Sequence, residues 1–281
     1  MGSRRYSVIL AALLLMALAP ERSSSEAAGP GAGQVVVTYD AALAGLSLGE
    51  FQVTASFNGS AYEMAADGSF SLLAGMLYSA SGKTTSSGKL TDAAAQPAKF
   101  ALDYKGGKKR ERRRLTFFRG AVSQVTIVPR KKPNPRNIPI STEQLKDVLD
   151  PLTAAFLSVR GSGEQEICRQ TIPVFDGRQR FDLVLTPKRS ESLGDEAPEG
   201  LSGPIAVCRV RNQPIGGYRP DNPGVKYMSK NEEIEAWLVR VPRTDLYMPY
   251  RILVPTAWGA GAVTLTDIEA SVAERQRASA P

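Results

Sequence analysis

Apolar positions along this chain alternate with polar ones far more often than they recur at helical spacing, and turn residues interrupt the alternation at short intervals. Val35-Val36-Val37-Thr38-Tyr39 opens the pattern and residues 46–57 continue it. Asn58-Gly59 then separates that run from Ala61-Tyr62-Glu63-Met64-Ala65. Both turn residues accept positive φ, so the pair predicts a hairpin. Residues 75–86 form a small-residue strand rich in Ser and Thr, and residues 100–104 alternate again. Gly106-Gly107 turns the chain into a basic strand, 108–118, which ends at Arg119-Gly120 before a further strand at 122–128 closed by Pro129.

In the second half, residues 167–175 reach the strong turn Asp176-Gly177, and 178–186 returns through Phe181, Leu183 and Leu185. Residues 187–203 are polar and rich in Gly, Pro and Glu, which predicts an exposed loop. Strands at 204–211, 235–241, 250–255 and 262–271 complete the set, with Gly216-Gly217 as a bend.

One segment follows a different period. Over residues 142–159, Leu145, Val148, Leu149, Leu152, Phe156 and Val159 fall on one face of a helix. Ser141 is the expected N-cap, with Gln144 completing a capping box, and Pro151 kinks or divides the helix. The expected fold is mainly β: a large curled antiparallel sheet, an open barrel or β-spiral, with the helix on its concave face. A single domain over 35–271 has flexible ends at 28–34 and 272–281.

The N-terminus changes the setting. Arg4 and Arg5 precede an apolar run, residues 8–19, and Ser25-Glu26-Ala27 offers small residues at a cleavage site. Residues 1–27 are therefore expected to be a cleavable signal peptide, and the mature chain a periplasmic protein in an oxidising compartment. Cys168 and Cys208 are the two cysteines. An even count in an exported protein points to a disulfide, whose closure of a loop of about 40 residues stabilises by roughly 4 kcal/mol; two reduced, buried thiols are the alternative.

Composition narrows the chemistry further. The chain has no histidine, which removes the commonest general base, the Ser-His and Cys-His nucleophile systems and the usual neutral metal ligand. The expectation is a non-enzyme with no cofactor and no metal. A histidine-free hydrolase using Ser, Lys or carboxylates is the minor alternative, for which no pair has diagnostic spacing.

Charge is local. The net charge is +7, yet residues 104–136 hold 12 Lys or Arg against Glu111 alone, so the remainder is acidic. Lys108, Lys109, Arg110, Arg112, Arg113 and Arg114 share one strand, while Arg130, Lys131, Lys132 and Arg136 follow the next. These ten residues are the candidate site for an anionic membrane or envelope polymer. The competing reading is an edge strand charged to prevent sheet-to-sheet aggregation. Nucleic acid is not expected, because export removes the usual partners and no recognition motif is present. Asp176, Arg178, Arg180 and Asp182 read as turn chemistry with cross-strand ion pairs rather than an active site. Trp237, Tyr247, Tyr250 and Trp258 read as core or rim packing before a ligand cleft.

Three stretches together resemble the exported bacterial family known as domain of unknown function 3108. They are Tyr39-Asp40-Ala41 through Gly45 to Gly49; Cys168 with the run Pro173 to Asp182; and Cys208 with Ile215-Gly216-Gly217-Tyr218. The resemblance spans about residues 35–270 and implies a periplasmic protein, with no catalytic residues to carry over. The layout is also similar to periplasmic lipoprotein carriers and envelope-integrity proteins with a β-spiral. The leading functional expectation is thus a curled sheet that holds or shields a lipid-like group while its basic arm meets an anionic surface. The alternative is a structural module that binds another envelope protein through a sheet edge or surface patch.

Overall fold

Thirteen strands run in one antiparallel sheet in the computed structural model, which describes residues 32–72, 78–91, 94–130, 132, 134–159, 163–194 and 197–272. The strands are β1 (Gly33–Leu43), β2 (Leu46–Asn58), β3 (Ala61–Leu72), β4 (Tyr78–Leu90), β5 (Ala95–Gly106), β6 (Lys109–Phe118), β7 (Ala121–Val128), β8 (Thr171–Phe175), β9 (Arg180–Ser192), β10 (Pro204–Gly216), β11 (Glu235–Arg240), β12 (Tyr247–Thr256) and β13 (Gly259–Ala270). Their spatial order is 7-6-5-4-3-2-1-13-12-11-10-9-8. Every chain-adjacent pair from β1 to β7 and from β8 to β13 is therefore a neighbour, and the two series join where β1 lies against β13. The β5–β6 turn at Gly107 and the Asn58-Gly59 turn fall where the alternation breaks.

The alternation reads directly onto the two faces. Val35, Val37, Tyr39 and Ala41 are buried on β1, Val53, Ala55 and Phe57 on β2, and Leu115 and Phe117 on β6. These side chains face inwards, as the period of two demands. Tyr39 stacks on Phe51 with centroids 5.1 Å apart, takes Phe156 edge-on at 5.9 Å, and donates its hydroxyl to the Pro249 carbonyl at 2.7 Å.

The inner element is shorter than its apolar stripe predicts. Residues 142–159 are not one helix: Glu143–Leu145 is a single 3-10 turn, 146–150 is non-helical, with isolated bridges at Lys146 and Leu149 either side of a left-handed Asp147, and only Pro151–Phe156 is α-helical (α1). The Ser141–Gln144 capping box does form, with Ser141 N donating to Gln144 Oε1 at 3.0 Å and Gln144 N to Ser141 Oγ at 3.3 Å. Pro151 starts the helix rather than kinking it, because an N1 position needs no N–H. Asp150 is the N-cap, accepting from the backbone of Leu152 and Thr153 at 3.0 Å each.

The extended part is a clasp between the sheet's two outer strands. Asp147 N donates to the Gly120 carbonyl at 2.7 Å, and Ala121 bridges Lys146. Leu149 then pairs in parallel with Val174 of β8, through Leu149 N to Pro173 O at 2.8 Å and Phe175 N to Leu149 O at 2.9 Å. The sheet is not closed by strand pairing; this segment spans the gap. Apolar residues at helical spacing are buried here by two strands instead of one helix face.

Further differences are local. The strand β9 continues to Ser192, so the exposed loop begins later than composition implies. A short helix, α2 (Glu164–Ile167), carries Cys168 at its C-cap, so that cysteine precedes a strand rather than lying within one. Another helix, α3 (Pro223–Lys230), capped by Asn222, has no counterpart in the sequence pattern. Gly33 and Gln34 belong to β1, and Val272 is buried. The proposed signal, residues 1–27, lies outside the described residues. Among the described residues no helix is long and apolar enough to cross a membrane.

Candidate functional site

The basic strand β6 sorts its cations by the direction each one points. Odd-numbered residues share the inward face of Leu115 and Phe117, so Arg113 and Glu111 face inwards and Arg110, Arg112 and Arg114 outwards. Inward, Arg113 donates Nε to Glu111 at 2.6 Å and Nη1 to Asp176 Oδ2 at 2.7 Å and to the Asp176 carbonyl at 2.9 Å. Arg178 donates Nε to the same Glu111 oxygen, Oε1, at 3.1 Å and Nη2 to Oε2 at 2.8 Å. Burial pushes the Glu111 carboxyl up, but the bonds and charges of Arg113 and Arg178 outweigh it and bring the pKa down to about 2. Burial likewise disfavours charge on Arg113, and the Asp176 and Glu111 carboxylates reverse that, raising it.

This network corrects two expectations. Arg113 is structural: it ties one end of the sheet to the β8–β9 turn at the other end. The charged turn does not pair across its own strands, since Asp176 serves Arg113 and caps Arg178 N and Gln179 N at 2.7 Å each, while Arg178 reaches across to Glu111. Arg180 pairs with Asp182 along the same strand.

The outward cations of the strand middle are compensated as well. Register places Gln52, Asp67, Lys83, Asp103 and Arg112 opposite one another in turn across β2 to β6. Signs alternate from Asp67 onwards along this ladder, which is the favourable cross-strand arrangement. Arg114 pairs with Asp103 at 2.9 Å, and Arg136 with Asp221. An open groove of about 1310 Å³ over this face is lined by both signs, among them Glu50, Asp67, Lys83, Asp103, Lys105 and Arg110.

What remains is a rim. Lys108, Lys109 and Arg110 are exposed around the β5–β6 turn, and Lys105 lies opposite Arg110. Because Arg112 pairs with Val128, the end of β7 adjoins the same turn, and exposed Arg130 and Lys132 follow it. None of these six cations has an ion-pair partner among the described residues. Lys131 lies outside those residues. Of the ten candidates, the structure gathers Lys108, Lys109, Arg110, Arg130 and Lys132 at one edge and diverts Arg113, Arg114 and Arg136 into pairs. Lys105 belongs to the rim but was not singled out, because only the register shows it beside Arg110.

The other candidates separate. Cys168 and Cys208 are joined as a disulfide with Cα atoms 5.2 Å apart, in the inner layer formed by Ile172, Val174 and Ala206. Trp237 lies between Arg189 (5.1 Å) and Arg251 (5.9 Å) and donates to Glu235 at 2.8 Å. Burial opposes ionisation of Glu235, yet bonds from Lys188, Arg189 and Trp237 take its pKa to about 2. Tyr247 is core, and Trp258 is exposed at a turn, so the aromatic residues do not share a cleft.

Sequence reasoning missed a buried polar node. Ser86 donates to Asp150 Oδ2 at 2.8 Å and Thr153 Oγ1 to the same oxygen at 2.7 Å, with Tyr62 hydroxyl 2.9 Å from Thr153 Oγ1. Burial raises the Asp150 pKa, and pushes the Tyr62 phenol up to about 12. A serine beside a carboxylate could be nucleophilic, but Ser86 is 2% exposed and Asp150 0%, and each polar atom is satisfied. The node locks α1 to β3 and β4. Asp150-Pro151 was its one legible signal.

A family described as "Protein of unknown function (DUF3108)" matches residues 37–266. The chain belongs to that family. No curated protein matches it significantly. Among solved structures, it is similar to a β-barrel-like protein of domain of unknown function DUF1849 from Brucella abortus, with 10% identity, a TM-score of 0.51, and coverage of 86% of this chain and 100% of that one. At that identity the likeness concerns the fold. The family stretches noted above have structural work here. Tyr39 anchors the α1 contact, Asp176 the clasp network, and Gly217 adopts φ +82° where any Cβ would lie 1.8 Å from the Arg178 carbonyl.

Proposed function

We propose that this is a non-enzymatic envelope protein, working in the periplasm, that contacts an anionic surface through the basic rim. The carrying observation is the sorting of the cations: Arg113 and Arg114 in the strand middle are ion-paired and Arg112 lies opposite Asp103, while Lys105, Lys108, Lys109, Arg110, Arg130 and Lys132 stay exposed at one edge. A segment charged only against aggregation needs no such segregation. Holding a lipid inside is not part of the proposal. The cavity against α1, lined by Val37, Val53, Phe156, Leu157 and Met248 among others, measures about 20 Å³, the scale of a water molecule rather than an acyl chain.

Sedimentation with phosphatidylglycerol-containing vesicles tests the proposal. Binding is expected at low salt and is lost as ionic strength rises, because exposed charges are screened beyond about 8–10 Å. Reversing Lys105, Lys108, Lys109 and Arg110 to Glu removes binding while leaving the thermal midpoint nearly unchanged. Equal binding by that variant refutes the reading.

A second reading rests on a separate observation. Beyond the Ala121–Lys146 bridge, the described part of β7 pairs with β6 alone, carries no charge, and exposes Val125 (40%) and Val128 (42%). An envelope partner could add a strand there. Val125→Lys would then abolish capture of such a partner from envelope extracts without affecting vesicle binding, and unchanged capture would exclude the edge.

A further inference from the structure

We infer that the anionic surface is a lipid bilayer and that two adjoining hairpin tips, carrying Leu46 and Trp258, insert into its headgroup layer. The inference rests on the basic-rim reading and names its partner.

Topology places the tips and the cations on one rim. The strands β1, β5, β7 and β12 end at the rim where β2, β6 and β13 begin, since neighbours in the sheet are antiparallel. The β1–β2 and β12–β13 turns lie side by side there. Ala44 N donates to the Ala260 carbonyl at 2.9 Å, and a Cβ on Gly259, at φ +115°, would sit 2.7 Å from Ala44 Cβ. Only a glycine permits that approach. From the β1–β2 tip to the β5–β6 turn is four strand spacings, about 19 Å along the rim, and from the β12–β13 tip it is six, about 29 Å.

The tips are apolar in an unusual degree. Trp258 is 81% exposed and Leu46 69%, the two most exposed large apolar side chains among the described residues. No charged residue occurs over residues 41–49 or 252–266. Ala44, Gly45, Ser47, Ala257, Gly259 and Ala260 around them are exposed as well. A lone exposed leucine needs no explanation, but paired apolar tips with an indole at the apex do. Beside them, Tyr227 of α3 donates its hydroxyl to Pro255 O at 2.7 Å, and Lys226 and Lys230 of the same helix are exposed. Indole and phenol rings at an edge ringed by lysines match the physics of a membrane interface, where rings sit at headgroup depth and cations meet lipid phosphates. Convex tips fit a bilayer better than they fit a groove on another protein.

Trp258 reports on itself. In a Trp237→Phe background it is the sole tryptophan, and the difference spectrum between the native chain and Trp258→Phe gives the same signal without touching Trp237. Vesicles of phosphatidylcholine doped with phosphatidylglycerol are expected to shift Trp258 emission to shorter wavelength and to reduce acrylamide quenching several-fold. Leu46→Ser with Trp258→Ser is expected to weaken vesicle binding roughly ten-fold or more, from the apolar area no longer buried. Co-sedimentation with unaltered Trp258 emission and quenching would overturn insertion while leaving the basic rim intact. Absence of co-sedimentation at low salt would overturn both.

Discussion

Glu111 is the residue on which the ion network between β6 and the β8–β9 turn converges. It accepts from Arg113 and Arg178, and its carboxyl titrates at about 2 in the fold against an ordinary 4.5. The folded state favours the ionised form, so this contribution is complete above about pH 4.5 and disappears as pH falls towards 2. Asp150 acts with the opposite sign. Burial raises its pKa above 3.8, so just above that pH the folded chain keeps a proton that the unfolded chain has released, and rising pH costs stability there. Glu111→Gln is expected to lose roughly 1–3 kcal/mol at neutral pH. In urea titrations across the acid range its curve should converge with that of the native protein near pH 2. Parallel curves would remove Glu111 from the account. At this scale the sequence disclosed the charges but not their destinations, since Glu111 and Arg178 are 67 residues apart.

Among the elements, α1 carries the lesson about what a pattern can and cannot say. Its apolar stripe was legible, and so was the Ser141 capping box, whereas Pro151 read as a kink and is the helix start. The length of the helix was not legible. Leu145, Val148 and Leu149 fit a helical period, yet Leu149 pairs with β8 because two open sheet edges offer backbone partners there. Hydrophobic spacing records that side chains are buried, not which neighbour buries them. The hairpins were readable because local turn residues such as Asn58-Gly59 and Asp176-Gly177 close them, while the β1–β13 pairing that joins the two series had no such local signal. The helix depends on its cap. Asp150→Ala removes acceptors from two backbone amides and the hydroxyls of Ser86 and Thr153, and should cost about 2–4 kcal/mol in equilibrium unfolding. A loss below about 0.5 kcal/mol would show the node to be dispensable.

At the scale of the whole molecule, charge and shape divide the surface. The ladder Asp67, Lys83, Asp103, Arg112 alternates charge across the outward face, and six exposed cations without an ion pair among the described residues share one rim. A charge count along the sequence found the basic segment but could not separate the two populations, because strand direction decides which cations meet acids. The rim prediction belongs here: a cluster of like charges acts collectively, so the four-fold reversal should change both the affinity and its dependence on salt, whereas a paired residue such as Arg114 should change neither greatly.

The joint between β1 and β13 fixes an order of events. Synthesis delivers Val35, Val36 and Val37 before β2 to β12, and their second partners, Ala270, Glu269 and Ile268, only after all of those strands. Until then a valine-rich strand must wait with one side unmatched, as a template for any passing chain. Each wing can zip from its own hairpins, but they become one molecule only when the final segment arrives, so the interval before that arrival is when this protein most needs a chaperone's protection.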